Sequence, residues 1–115
     1  MTPVELKQRT KAFALRVIKL VEALPNTTTG RALGRQMVRS GTSVAANYRA
    51  ACRARSRAEF IAKMGVVEEE ADETMLWLEL LAESNTMPPD QLAPLLREAN
   101  ELTAIMAASR KTAKE

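Results

Sequence analysis

Helical periodicity, interrupted three times, constrains the fold of this chain more than any other feature of its sequence. Apolar residues recur at steps of three and four through most of the 115 residues, a spacing that places them on one face of an α-helix. Turn-forming residues interrupt this periodicity at 25–30 and 84–89, and a Ser-x-x-Glu capping motif interrupts it at 56–59. No segment alternates in the manner of a β-strand, so the pattern predicts four helices.

From these interruptions we place the four helices, approximately, at 3–24, 31–55, 57–84 and 90–111. Their connections are short, which favours antiparallel neighbours in an up-down order. Gly34 and Gly41 lie on or beside the buried side of the second helix, and a close helix crossing is the expected compensation for their low helix propensity. We therefore predict a single all-α domain over 1–115, an antiparallel up-down four-helix bundle.

Several classes of active site are excluded by the residues that the chain lacks. Without histidine, neither a Ser/His/Asp or Cys/His catalytic group nor a Cys/His zinc site can be assembled. Cys52 is the only cysteine, so no intramolecular disulfide can form. A carboxylate-bridged metal site, with Glu70 and Glu73 as candidates, is disfavoured because such sites use Glu-x-x-His pairs. We predict a protein that is not an enzyme and has no catalytic residue, metal or cofactor.

The sequence also bears on location. It contains no run of about 18 apolar residues, which a membrane-spanning helix needs, and its N-terminus lacks the apolar core of a signal peptide. A single cysteine suits a reducing compartment. These features predict a cytoplasmic protein that does not interact with a membrane.

Charge is strongly segregated along the chain. No acidic residue lies between Glu22 and Glu59, whereas residues 59–83 carry eight acidic side chains against the single Lys63. Seven arginines occupy the acid-free segment, and five of them fall within an arc of about 80° on one side of the second helix. We call the seven the arginine ridge: Arg31, Arg35, Arg39, Arg49, Arg53, Arg55 and Arg57.

The arginine ridge is a candidate nucleic-acid interface. A guanidinium group binds phosphate through two parallel hydrogen bonds, so an RNA or DNA backbone is a natural ligand. Tyr48 is the one aromatic residue nearby and is expected to face the core, which favours recognition of backbone or shape over base stacking. Alternatively, the ridge is a solvated face, or it pairs with the acidic third helix of the same or a neighbouring subunit. The sequence leaves these alternatives open.

The third helix shows a second apolar strip beside the first. Val66, Trp77 and Leu81 form this strip, whereas a monomeric bundle needs only one apolar side on each helix. We predict that these three residues belong to an interface between subunits. The alternative is that they pack inside the core of a monomer.

A resemblance to a known family becomes visible in the middle of the chain. The stretch RSGTSVAANYRAACRARSRAEFIAKM at 39–64 resembles a bacterial four-helix-bundle family related to proteins encoded in intervening sequences of large-subunit ribosomal RNA genes. The matching features are the Arg-Ser-Gly-Thr-Ser motif at 39–43, Asn47, and the Ser-x-x-Glu-Phe helix start at 56–60. The likeness extends over nearly the whole chain.

This resemblance implies an up-down bundle that assembles into a ring of five subunits, without enzymatic activity. One relative is the accessory protein of diversity-generating retroelements, in which a basic pentamer binds nucleic acid and the reverse transcriptase. Many members carry an acidic residue shortly after the asparagine, whereas this chain has Arg49. If that acid contacts a neighbouring subunit in the family, the resemblance implies that Arg49 alters the interface or extends the basic surface.

Two hypotheses about function follow. The first is a nonenzymatic, ring-forming bundle that binds structured RNA or a ribonucleoprotein, such as one of the reverse-transcriptase type, through the arginine ridge. The second is a structural or adaptor oligomer without a nucleic-acid ligand, in which the ridge of one subunit meets the acidic third helix of the next.

Overall fold

Four α-helices account for nearly all of the chain in the computed structural model, which describes residues 1–115 and contains no β-strand. The all-α prediction is therefore confirmed. The helices are α1 (Pro3–Glu22), α2 (Thr28–Ala51), α3 (Arg57–Glu83) and α4 (Pro89–Lys114).

The first residues of the two predicted capping boxes, Thr2 and Ser56, cap α1 and α3. The hydroxyl of Thr2 accepts the backbone N–H of Glu5 at 3.1 Å, and the hydroxyl of Ser56 accepts that of Glu59 at 3.0 Å. Each bond satisfies a backbone donor that has no partner inside its helix.

The predicted limits of the second helix, 31–55, are wrong at both ends. α2 begins at Thr28 because the hydroxyl of Thr27 accepts the backbone N–H of Gly30 at 3.0 Å, so this threonine acts as an unforeseen cap. α2 ends at Ala51 because Ser56 must be extended to cap α3, with φ −152° and ψ 162°, and the chain leaves the helix beforehand. The predicted starts at Pro3 and Arg57 are confirmed, and the other helix ends lie one to three residues from their predicted positions.

Each helix packs antiparallel against its neighbour in sequence. Val17 of α1 meets Gly41 of α2, the hydroxyl of Ser40 bonds Thr74 of α3 at 2.7 Å, and Thr103 of α4 lies on Met75 of α3. α1 and α4 close the bundle, but they meet along far less of their length than the other neighbouring pairs. The result is an up-down bundle of 44 × 20 × 19 Å.

The close crossing predicted for α2 is confirmed at both glycines. A Cβ atom on Gly41 would lie 2.9 Å from both γ-methyl groups of Val17, and one on Gly34 would lie 3.1 Å from a methyl group of Val21. Only a residue without a side chain lets α1 come this near. The glycines therefore determine how α1 sits against α2.

One polar contact lies inside the otherwise apolar core. Ser40 and Thr74 are fully buried, and Thr74 donates its hydroxyl hydrogen to the carbonyl of Glu70 at 2.8 Å. The hydroxyl groups of Ser40 and Thr74 share a hydrogen bond of 2.7 Å, and each also lies within hydrogen-bond distance of a backbone carbonyl of its own helix. This bond links α2 to α3 at one register.

Candidate nucleic-acid interface

All seven residues of the arginine ridge are exposed, but the structure divides them into groups. Arg31 and Arg35 lie near the α1–α2 connection, and Arg49 and Arg53 lie near the opposite end of the bundle. The 14 residues from Arg35 to Arg49 correspond to about 21 Å along a helix. The seven arginines therefore do not form one continuous ridge on the surface of the bundle.

Arg39 is the one member of the ridge that forms ion pairs. Its guanidinium group bonds Glu70 of α3 at 3.2 Å and also bonds Glu73. The hydrogen bond to Glu73, followed by the charges of both carboxylates, raises the pKa of Arg39. For this residue, pairing with the acidic helix of the same subunit is the observed arrangement, and its charge is already balanced.

Arg49 and Arg53 belong instead to a cleft between α1 and α2. The cleft has a volume of about 330 Å³, and Lys7 and Lys11 of α1 form its other wall. The remaining lining residues are Val4, Gln8 and Cys52, so no carboxylate lines it. We call Lys7, Lys11, Arg49 and Arg53 the basic cleft.

The two lysines of the basic cleft were not among the predicted site residues. Their spacing of four residues places them on the same face of α1, and this was the available signal. The helical pattern does not reveal which residues of α2 they face. The antiparallel packing at Val17 and Gly41 brings them opposite Arg49 and Arg53.

Arg55 and Arg57 continue the positive surface around the same end of the bundle. The backbone N–H of Arg55 bonds the carboxylate of Glu59 at 3.3 Å. The guanidinium group of Arg55 forms no ion pair. The guanidinium of Arg57 donates to the carbonyl of Ala113, near the end of α4. That bond satisfies a carbonyl in the last helical turn and holds α3 against α4.

The bundle is electrically asymmetric along its length. When each helix is divided at its middle, the half with the basic cleft (1–12, 40–70 and 102–115) carries eleven Lys and Arg against six Asp and Glu. The other half (13–39 and 71–101) carries six against eight. Antiparallel helices largely cancel each other's dipoles, so side chains create this asymmetry. We call the first half the basic end.

The predicted subunit interface is wrong in one of its three residues. Leu81 is fully buried, because the α3–α4 connection folds over it and the backbone N–H groups of Thr86 and Met87 bond its carbonyl. Trp77 is half-buried against the core, and its buried indole N–H has no partner. Val66 is exposed, as predicted.

Two leucines that the sequence reasoning missed complete the apolar surface of α3. Leu76 and Leu80 are 46% and 39% exposed, and they lie beside Trp77 on its outer side. On α1, Val4 and Leu15 are more than half exposed. The helical phase predicted that α3 has two apolar sides, but it did not tell which side faces the core.

The structure contains no group of three or more Cys, Asp or Glu side chains that would hold a metal ion. The earlier candidates, Glu70 and Glu73, both bind Arg39. No helix has the length and apolar character that crossing a membrane requires.

Comparisons with known proteins agree with this architecture. The profile of a family described as 23S rRNA-intervening sequence protein matches residues 3–108. Among solved structures, the chain is similar to a protein with unknown function from the S23 ribosomal protein family of Bacteroides thetaiotaomicron VPI-5482. The two are 33% identical, the match covers 96% of this chain and 99% of the other, and the TM-score is 0.89. No curated protein matches.

Proposed function

This chain belongs to the 23S rRNA-intervening sequence protein family, and we propose that it is a nonenzymatic bundle whose basic end binds structured RNA or a ribonucleoprotein. The observation that supports this function is the basic cleft. Two lysines of α1, Arg49 of α2 and Arg53 just after α2 line one cleft, and no carboxylate of the chain lines it with them. Like charges at this density repel one another, and a polyanion relieves that repulsion.

The chemistry of the cleft favours an RNA backbone. A guanidinium group binds a phosphate group through two hydrogen bonds, and an ammonium group adds a compact positive charge. No aromatic side chain lines the cleft on which an unpaired base would stack. Double-stranded RNA is recognised mostly by its shape and backbone, so a folded RNA suits this surface better than a single strand.

Within the predicted ridge, the proposed contact surface is narrower than the sequence indicated. Arg49, Arg53, Arg55 and Arg57 lie at the basic end, and Lys7 and Lys11 join them. Arg31 and Arg35 lie near the other end, and Arg39 is occupied by its two carboxylates. The partner we propose is an RNA or a reverse-transcriptase-type ribonucleoprotein in the cytoplasm.

We also propose that the protein is a homo-oligomer, and complementary faces favour this assembly. The exposed Val66, Leu76 and Leu80 lie on the acid-rich helix α3, whereas the exposed Val4 and Leu15 lie on α1, which is rich in lysine. α1 does not pack against α3 within the bundle, so the two faces look away from each other.

Contact between unlike faces of successive subunits is heterologous, and it closes into a ring when the rotation between successive subunits returns to the first one. The resemblance to the family implies a ring of five. The same complementarity supports the second candidate function, a structural or adaptor oligomer. In that oligomer the basic face is buried in the contact between subunits and binds no nucleic acid.

Fluorescence anisotropy with a labelled RNA hairpin tests the proposed function. Wild-type protein, the Arg49→Glu/Arg53→Glu variant and the Arg31→Glu/Arg35→Glu variant are titrated at several salt concentrations. The two variants make the same charge change, within α2 or just after it, at opposite ends of the bundle. Light scattering first establishes that all three proteins have the same mass in solution.

We expect the Arg49→Glu/Arg53→Glu variant to bind about 100-fold more weakly near 0.1 M salt, with a salt dependence that is shallower by about two phosphate contacts. The Arg31→Glu/Arg35→Glu variant retains most of its affinity. No binding by wild-type protein at low salt would contradict the proposal. If the Arg49→Glu/Arg53→Glu variant also loses its oligomeric mass, the adaptor function is the better account.

A further inference from the structure

A second cleft lies on the far side of α1, along its seam with α4. It has a volume of about 320 Å³ and is open because α1 and α4 meet over a short length only. Its floor is apolar. We call it the seam cleft, and the apolar residues that line it are Leu20, Ala23, Met87, Pro94 and Leu95.

The charged residues of the seam cleft are both cationic. Arg16 and Lys19 lie on its α1 side, and neither forms an ion pair within the chain. Arg16 also lines an adjoining cleft with Glu98 and Glu101, and Arg9 binds both carboxylates, through two hydrogen bonds of 2.7 Å to Glu98 and one of 3.2 Å to Glu101. Arg16 lies near enough to contribute to the lowered pKa of Glu98, but the carboxylate oxygens bond Arg9.

Pro94 interrupts the hydrogen bonding of α4 where the helix borders the cleft. Proline has no N–H, so Pro94 cannot donate the bond that the carbonyl of Asp90 would receive from an ordinary residue one turn later in α4. Pro94 is exposed and lines the cleft. The site thus combines an apolar floor with two cations.

We propose that the seam cleft binds a short acidic amphipathic segment of a partner protein. An apolar side chain of that segment sits on Leu20, Met87 and Leu95, and carboxylates on the same segment pair with Arg16 and Lys19. Apolar anchors of one helix face in a groove are a common mode of peptide recognition. Charge complementarity selects acidic segments, because a basic segment would meet two unpaired cations.

This occupant fits better than nucleic acid. The basic cleft offers four cations around a largely polar lining, whereas the seam cleft offers two cations around five apolar residues. Burial of an apolar side chain supplies most of the driving force here, and RNA has no equivalent group. The inference does not depend on the proposed RNA function.

Selection from a phage library of random 12-residue peptides tests this proposal. The library is selected on the immobilised full-length protein and depleted on the Arg16→Glu/Lys19→Glu variant. The Arg31→Glu/Arg35→Glu variant is the control, because Arg31 and Arg35 line another partly apolar cleft, between α1 and α2. There, Arg31 already bonds the side-chain oxygen of Asn26 at 2.8 Å.

We expect enriched peptides in which Leu, Ile or Phe lies three or four residues from Asp or Glu. Synthetic copies should bind the wild-type and control proteins equally, and the Arg16→Glu/Lys19→Glu variant at least ten-fold more weakly. In a spectrum of methyl-labelled methionine, the signal of Met87 should shift on binding, whereas that of Met64, which does not line the cleft, should not.

Three outcomes would overturn the proposal. The first is that no peptide is enriched after depletion. The second is that the enriched peptides lack acidic residues or bind all three proteins equally, which indicates adsorption elsewhere. The third is a change in oligomeric mass that accounts for the loss of binding, which would assign the seam to a contact between copies of this chain.

Discussion

Arg39 and Arg49 lie on α2, and Arg53 follows its last turn, yet these three arginines have different surroundings. Arg39 leans toward α3 and bonds the carboxylates of Glu70 and Glu73. Arg49 and Arg53 lean toward α1, where Lys7 and Lys11 add positive charge instead of balancing it. The difference teaches that the neighbouring helix, and not the residue type or its spacing, decides whether an arginine is free to bind phosphate.

The strongest test of this comparison changes the neighbour and leaves the arginines in place. Lys7→Glu/Lys11→Glu places two carboxylates opposite Arg49 and Arg53, so these arginines become paired as Arg39 is. We expect affinity for the RNA hairpin to fall about 30-fold near 0.1 M salt. Unchanged affinity with unchanged oligomeric mass would show that the cleft is not where RNA binds.

The geometry of the basic cleft also depends on how closely α1 packs against α2. Gly41→Ala would place a Cβ atom 2.9 Å from the branched side chain of Val17, so the helices must separate. We expect a loss of about 1–2 kcal/mol in the free energy of unfolding, because overpacking outweighs the better helix propensity of alanine.

Gly65→Ala is the matched control for that variant. Its Cβ would meet only the side chain of Arg110, at 3.7 Å, which is an ordinary contact. We expect this variant to be as stable as wild type or more stable by up to about 1 kcal/mol. Urea denaturation at one protein concentration measures both, and equal effects of the two substitutions would contradict the close crossing.

At its other edge, α1 is held against α4 by an ion pair, and lowering the pH should weaken this ion pair. The hydrogen bond from Arg9, chiefly, lowers the pKa of Glu98 below the usual glutamate value of 4.5. A carboxyl whose pKa is lowered by folding stabilises the protein fully above the unfolded value, and this contribution is lost as the pH falls through the folded value.

Glu98→Gln should therefore cost about 1 kcal/mol at pH 7, because the ion pair is partly buried. The difference in stability between the variant and the wild-type protein should decrease steadily as the pH is lowered below about 4.5. Thermal unfolding followed by circular dichroism across pH 3–7 measures this trend. A difference that does not depend on pH would mean that the ion pair contributes nothing through charge.

The smallest expected effect comes from freeing Arg39. Glu70→Gln/Glu73→Gln removes both of its partners and two negative charges, so Arg39 becomes available as Arg49 and Arg53 are. We expect affinity for the RNA hairpin to rise about three-fold, with a salt dependence steeper by at most one phosphate contact. A larger rise would indicate that RNA lies across the middle of α2 and not at the basic end.

Much of the fold could be predicted because its signals are local. The capping hydroxyls of Thr2 and Ser56 act within one helical turn, and the apolar spacing marks a helix without knowledge of its neighbours. The all-α bundle and the close crossing at Gly41 were predicted from these patterns. The start of α2 was missed because Thr27 lies in a run of three threonines, and only the observed bond to Gly30 shows which one caps.

The candidate site was less accessible because its parts come from different helices. Periodicity fixes the angle between residues of one helix, but not the rotation of that helix in the bundle. Leu81 and Leu80 illustrate this, since the first is buried under the α3–α4 connection and the second is exposed. Lys7 and Lys11 were overlooked for the same reason.

The sequence by itself determined the four helices, their antiparallel order and the separation of basic from acidic segments. These properties follow from hydrophobic spacing, caps, short connections and composition, which act over a few residues. Only the tertiary structure decided which arginines form ion pairs with carboxylates, which lysines lie beside the unpaired arginines, and which apolar residues are exposed. Those outcomes depend on helix rotation and register, which close contacts such as Gly41 on Val17 set across the bundle.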